Sequence, residues 1–167
     1  TQIPGTTWSS VASRGSNVIA TKTDGTLWNW GMKSEGKLGQ NSVTYFSSPV
    51  QVGSDTTWRS VSLSYTGHAV ATKTDGSLWV WGASNDGTLG LNETPTLNQN
   101  SKSSPVRMGS ASNWSAATVA GEKMGGAINT DGECWVWGQN NKGQLGQNSR
   151  TYYSSPVQIP GTAWNDI

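Results

Sequence analysis

His68 and Cys134 are the sole histidine and sole cysteine of the chain. With the carboxylates Asp24, Asp75 and Asp131, they are the side chains whose types allow base, nucleophile or metal-ligand chemistry. An enzyme of that kind carries a nucleophile, a base and an orienting group in an arrangement that no repeat accounts for. Here each aspartate precedes a glycine in an equivalent place, and Glu35, Asp86 and Lys142 share one variable loop position. One His, one Cys and dispersed carboxylates assemble no metal site. The glycines fit neither the GxxxxGK[ST] phosphate loop nor a GxGxxG leading from strand to helix. No catalytic residue, no metal ligand and no cofactor is therefore expected.

The elements that carry these residues repeat. TKTDGTLWNWG, Thr21 to Gly31, returns as TKTDGSLWVWG, Thr72 to Gly82, and as NTDGECWVWG, Asn129 to Gly138. A leading tryptophan (Trp8, Trp58, Trp114), a Leu-Gly (Leu38-Gly39, Leu89-Gly90, Leu145-Gly146) and a Ser-Pro-Val at Pro49, Pro105 and Pro156 hold the same register. In this alignment Cys134 stands where the other copies have Leu27 and Leu78, as a small buried hydrophobe would. The extra length of the second copy, NETPTLNQNSK, is polar and falls between Gly90 and Pro105, as a loop insertion does.

Within the first copy the pattern predicts strands at Trp8 to Ala12, Val18 to Thr23, Leu27 to Gly31 and Val50 to Val52. The pairs Asp24-Gly25, Asp75-Gly76 and Asp131-Gly132 each close a hairpin, with a type I′ turn as the expected geometry. Trp28 and Trp30 lie two apart on one face of the sheet, as do Trp79 with Trp81 and Trp135 with Trp137. One four-stranded sheet cannot bury such a face, whereas blades stacked radially can. The expected fold is an all-β propeller of four-stranded antiparallel blades, with every tryptophan in core packing.

A leading Trp, an alternating strand, DG, LWxWG, a glycine-bracketed LG loop and a following SPV resemble the regulator of chromosome condensation repeat. GQNNKGQLG at Gly138 to Gly146 is the best match, and the surface-type members of bacteria and phages are similar. The resemblance implies a ring of about seven blades. It also implies a His seven residues before the DG aspartate, where these copies carry Asn17, His68 and Met124. His68 therefore reads as a hydrogen-bonded structural residue.

The three repeats span about 8–57, 58–113 and 114–163 of a single segment covering 1–167, and residues 1–7 and 164–167 belong to flanking blades. TQIPGTTWSSV at the start matches VQIPGTAWNDI at the end, which implies a piece of a longer chain. Three blades cannot close a ring, so the flanking blades would come from the same longer chain or from another copy.

Charged residues are 13% of the chain, about half the usual share, and the formal net charge is +1. No basic stripe is available to nucleic acid, and no apolar run is long enough for a membrane span. The expected function is binding or assembly by a non-enzymatic propeller. Its partner would be a protein or a surface glycan, in a secreted, cell-surface or virion-surface setting of fibre or adhesin type. Guanine nucleotide exchange on a small GTPase and secreted protein inhibition are the alternatives. Candidate contacts are the loop residues Tyr45, Phe46, Leu97, Tyr152 and Tyr153. Packing between adjacent blades is the competing role for these side chains.

Overall fold

The computed structural model describes residues 3, 5–32, 36–41, 45–93, 100–118 and 121–165. Twelve strands form three antiparallel sheets in sequence order. The first blade holds β1 (Trp8–Arg14), β2 (Asn17–Lys22), β3 (Leu27–Gly31) and β4 (Phe46–Gln51). The second holds β5 (Trp58–Leu63), β6 (His68–Lys73), β7 (Leu78–Gly82) and β8 (Lys102–Arg107). The third holds β9 (Trp114–Thr118), β10 (Met124–Asn129), β11 (Cys134–Gly138) and β12 (Tyr153–Ile159). Strand β5 neighbours both β1 and β9, and β2 meets β5 as β6 meets β9. The blades thus fan out from their first strands as part of a propeller.

Two local features differ from the sequence expectation. The fourth strand begins at Phe46 instead of Val50, because Phe46 pairs with Gly31 and a register shift lets the strand run through Pro49 to the Trp28–Gln51 pair. Proline is tolerated there because β4 is the outer strand, where an absent N–H breaks no ladder. The Asp-Gly hairpin is also not type I′. Only Gly25 has a positive φ, and its N–H bonds to the Lys22 carbonyl at 2.9 Å. This is a three-residue loop that ends in a left-handed glycine. Asp24 instead serves as a cap, its carboxylate accepting the Thr26 N–H and hydroxyl at 3.0 and 2.7 Å.

The hydrophobic core lies at the seams. Ile19 and Leu27 of the first blade pack with Trp58, Val61, Ala69 and Trp81 of the second, and Val70, Leu78 and Val80 pack with Trp114, Ala127 and Trp137 of the third. Burial of these faces drives the blades together, as in other repeat architectures where one unit cannot bury its own face. Two polar locks fix the spacing. The β3–β4 loop reaches the next blade's fourth strand, with Asn41 N–H on the Ser103 carbonyl at 2.7 Å and Asn92 N–H on Ser154 at 2.6 Å. The Asp-Gly turn holds the next blade's first strand, with Trp58 N–H on Gly25 O and Trp114 N–H on Gly76 O, both at 3.0 Å.

Candidate functional site

Antiparallel order places the turns from first to second strand and from third to fourth strand at one end of every blade, and the Asp-Gly turns at the other. The first end carries most of the residues that differ between repeats. In the third blade its loop is built on Asn140, which is fully buried. The Asn140 side chain accepts the Leu145 N–H and donates to the Ser149 and Thr151 carbonyls, each at 2.9 Å. A loop held this way presents its tip at little cost in ordering entropy on binding.

The aromatic pairs at this end split. Tyr45 is 65% exposed, whereas Phe46 is half-buried as the first residue of β4. Tyr152 is 36% exposed, whereas Tyr153 packs against the third-blade cluster of Ile128, Cys134, Val136 and Leu145. Phe46 and Tyr153 begin β4 and β12, whereas Tyr45 and Tyr152 precede them in the loops. Leu97 lies outside the described residues.

Tyr65, at the tip of the β5–β6 turn, was not among the residues singled out from sequence and is 65% exposed. With Arg14, Gly121 and Glu122, from the equivalent turns of the neighbouring blades, it lines a depression of about 260 Å³. Thr66 ties the turn to the third blade by donating its hydroxyl to the Glu122 carbonyl. The available signal was the disagreement among the copies at this turn, SRGSN, SYTGH and AGEKM.

His68 is fully buried at the seam between the second and third blades. Its Nε2 meets the Met124 carbonyl at 3.1 Å, and its Nδ1 meets the Ser64 hydroxyl at 2.9 Å. A carbonyl only accepts, so Nε2 carries the proton and Nδ1 accepts from Ser64. Ser64 Oγ in turn accepts the Gly67 and His68 N–H groups, each at 2.9 Å. Burial lowers the imidazole pKa from 6.5 to about 4, against the raising effect of the Met124 carbonyl. The ring is thus a neutral bridge between blades with both nitrogens occupied.

Cys134 is fully buried, and burial raises its thiol pKa. A thiol in that setting is inert. In the native state a thiol reagent is expected to label Cys134 only as fast as the blade opens, with full reactivity on adding denaturant. Labelling that is complete within mixing time in buffer would contradict this placement. Hydrogen bonds from the side chain and backbone N–H of Thr26 lower the pKa of Asp24, and those from Ser77 lower that of Asp75. These carboxylates cap turns.

Burial differs among the tryptophans: Trp58, Trp81, Trp114 and Trp137 are buried, Trp8, Trp28, Trp30, Trp79 and Trp135 are half-buried, and Trp164 is exposed, so core packing does not account for Trp164. Trp81 and Trp137 are fully buried. Each keys into the Leu-Gly loop of the preceding blade, with Nε1 donating to the Lys37 carbonyl at 3.2 Å and to the Thr88 carbonyl at 3.0 Å. Trp28, Trp79 and Trp135 are half-buried, Trp79 and Trp135 at the edges of the two seam clusters. They stand edge-on to the leading tryptophans Trp8, Trp58 and Trp114 at centroid distances of 6.0, 5.8 and 6.4 Å.

Comparison with known proteins agrees with this architecture. The family described as Regulator of chromosome condensation (RCC1) repeat matches residues 75–123 and 131–167. The RCC1 domain-containing protein RUG3, mitochondrial, of Arabidopsis thaliana is 30% identical over 139 residues, which is 82% of this chain and 30% of that protein. The ultraviolet-B receptor UVR8 of the same plant is 28% identical over 152 residues, 89% of this chain and 33% of the receptor. The chain thus spans about a third of the length of these relatives. Human WBSCR16 superposes with a TM-score of 0.76 at 22% identity, over 92% of this chain and 38% of that one. Prp20p of Saccharomyces cerevisiae, a protein with binding properties toward Gsp1p and histones, gives 0.76 at 20% identity, over 94% and 39%. These likenesses establish the fold.

Proposed function

The chain belongs to the regulator of chromosome condensation repeat family, and from that membership we propose that it is a non-catalytic propeller module for protein binding. Its contact surface is the loop end that carries Tyr45, Tyr65 and Tyr152. The observation that carries this reading is the exposure of these three tyrosines, at 65%, 65% and 36%, on the end where the repeats differ most. Tyrosine brings a large amphipathic area with few rotatable bonds, and aromatic anchors dominate protein contacts. The two histidine nitrogens are both occupied and the lone thiol is buried, so neither is offered to a substrate. Low charge and abundant Ser, Thr, Asn and Gly support a secreted, cell-surface or virion-surface setting of fibre or adhesin type, which belongs to this proposal.

The test separates contact from packing. A triple variant, Tyr45→Ser, Tyr65→Ser and Tyr152→Ser, is expected to keep the thermal midpoint of the parent chain. It is also expected to lose its partner, identified by crosslinking to the parent chain, by tenfold or more in affinity. Tyr153→Ser, which empties part of the third-blade cluster, is expected to do the reverse and destabilise by about 2 kcal/mol with binding retained. If the triple variant binds normally, the contact surface lies elsewhere.

A further inference from the structure

At the Asp-Gly end the first two repeats share a device that the third lacks. In the first, the Lys22 ammonium lies 4.9 Å from the centroid of Trp8 and 4.0 Å from that of Trp28. In the second, the Lys73 ammonium lies 4.6 Å from Trp58 and 3.9 Å from Trp79, and pairs with Asp55 at 2.6 Å. Two indoles set edge to face thus hold the chain's own ammonium against their negative faces. The third repeat keeps the indoles, Trp114 and Trp135, at 6.4 Å and 83°. It carries Asn129 in place of the lysine and Ala111 in place of Asp55. The counter-ion is particular to the second repeat, since the first has Gly5 at that position, whereas the lysine is lost in the third alone.

The third repeat also gains a carboxylate. Glu133 stands where Thr26 and Ser77 stand in the other copies. Asn129 cannot fill the lysine's place, because its carbonyl oxygen is drawn into the turn by the Asp131 and Glu133 N–H groups at 3.0 and 2.9 Å. Its amide donates to Glu133 Oε2 at 2.7 Å. A cavity of about 280 Å³ lies here, lined by Trp114, Trp135, Asn129, Glu133, Ala111 and Pro156; the second-blade groove is as large, about 290 Å³, and what differs is which groups line it. The corresponding groove of the second blade is bounded by Asp55, Trp58, Trp79 and Pro105 and does not extend to Lys73 or Ser77. In the third blade the cavity extends to both of those positions. Glu133 is the charged residue in its lining, and its Oε2 also accepts the Trp135 Nε1–H at 3.4 Å; nearby, Asp131 accepts from Asn113 at 3.2 Å and Arg59 donates to the Trp114 carbonyl at 2.7 Å. The Arg107 guanidinium is held by the Ser110 and Ala111 carbonyls at 3.0 and 3.4 Å. Both guanidiniums are held by backbone carbonyls, and Glu133 is the carboxylate that lines the cavity beside the two indoles.

We propose that the Trp114–Trp135 cavity binds an alkylammonium group, the lysine side chain of a partner protein, in the place that Lys22 and Lys73 fill in the other blades. The site lies at the opposite end of the blades from the tyrosine surface and stands independently of it.

The probe is Nα-acetyl-lysine N-methylamide, titrated into the whole chain while the indole N–H resonances of Trp114 and Trp135 are followed by NMR. Saturable shifts are expected at these two indoles, with at least tenfold weaker binding for the neutral norleucine analogue. The double variant Asn129→Lys, Ala111→Asp copies the second blade into the third and is expected to abolish binding while the fold persists. Glu133→Gln is expected to weaken binding about fivefold, and it carries the test by itself if the double variant does not fold. The absence of saturable shifts would overturn the proposal. So would an equal response to norleucine, or undiminished binding in the double variant or, where that does not fold, in Glu133→Gln.

Discussion

Gly76→Ala is expected to open the seam between the second and third blades, at a cost of about 3 kcal/mol or more. Gly76 has φ +76°, and a Cβ at that position would sit 2.1 Å from the Ser112 carbonyl oxygen and 2.7 Å from its carbon. Both are backbone atoms on the approach to β9, so no rotamer change relieves the clash. Moving that segment breaks the 3.0 Å bond from Trp114 N–H to the Gly76 carbonyl and loosens Trp114 in the second seam cluster. Gly109 supplies the control, because it has φ +61° with nothing within 4 Å of its Cβ position. Gly109→Ala should cost only the left-handed backbone penalty of about 1 kcal/mol. Denaturant unfolding followed by tryptophan fluorescence measures both. Since each repeat touches only its neighbours, Gly76→Ala should also separate the loss of the third blade into an earlier transition. Equal losses in the two variants would show that the close approach is immaterial.

The same seam explains which features could be read in advance. The kernel strands, the hairpin positions and the hydrophobic place of Cys134 followed from alternation and repetition, because each depends on a residue and its neighbours within one copy. Alternation also put Trp79 and Trp81 on one face, which is correct, yet it could not say that Trp81 is fully buried and Trp79 half-buried. That difference comes from Lys37, Leu38 and Gly39 of the preceding blade, whose loop covers one indole and stops short of the other. The start of β4 was missed for a related reason. Ser47, Ser48 and Pro49 carry no alternating apolar pattern, and their pairing on an outer strand is what makes them a strand.

The candidate surface was half visible. Tyr45 and Tyr152 stand beside a second aromatic residue in matching loops of two repeats, a signal legible in sequence, whereas Tyr65 is a lone aromatic in a turn whose residues differ in every copy. Lys22, Lys73 and Asn129 were passed over for the opposite reason. They lie inside the best-repeated segment, where a difference looks like drift. Only the distances from Lys22 and Lys73 to their tryptophan pairs give the change at Asn129 a chemical meaning.

His68 makes the chain acid-sensitive between pH 6.5 and about 4. Its pKa is 6.5 when exposed on unfolding and about 4 when folded, so between these values the unfolded chain binds the proton and the folded chain does not. Stability is then full above pH 6.5 and falls as pH drops toward 4, by about 3 kcal/mol in all. Asp24 and Asp75 are held below their ordinary values near 3.8, so the stability they contribute is lost below this window. The chain has a single histidine, which makes the attribution clean: one imidazole Cε1–H resonance reports the folded-state titration. That resonance should titrate with a midpoint near 4, and denaturant midpoints should fall steadily from pH 6.5 to 4. His68→Leu is expected to be less stable than the parent at neutral pH by about 2 kcal/mol, because it leaves the Met124 carbonyl and the Ser64 hydroxyl short of a partner. It should lack the imidazole's contribution to the pH dependence across the window, so that its deficit closes on acidification and reverses as pH approaches 4. A folded-state midpoint near 6.5, or a difference constant with pH, would mean that the ring is not the buried neutral bridge between blades that its two hydrogen bonds describe.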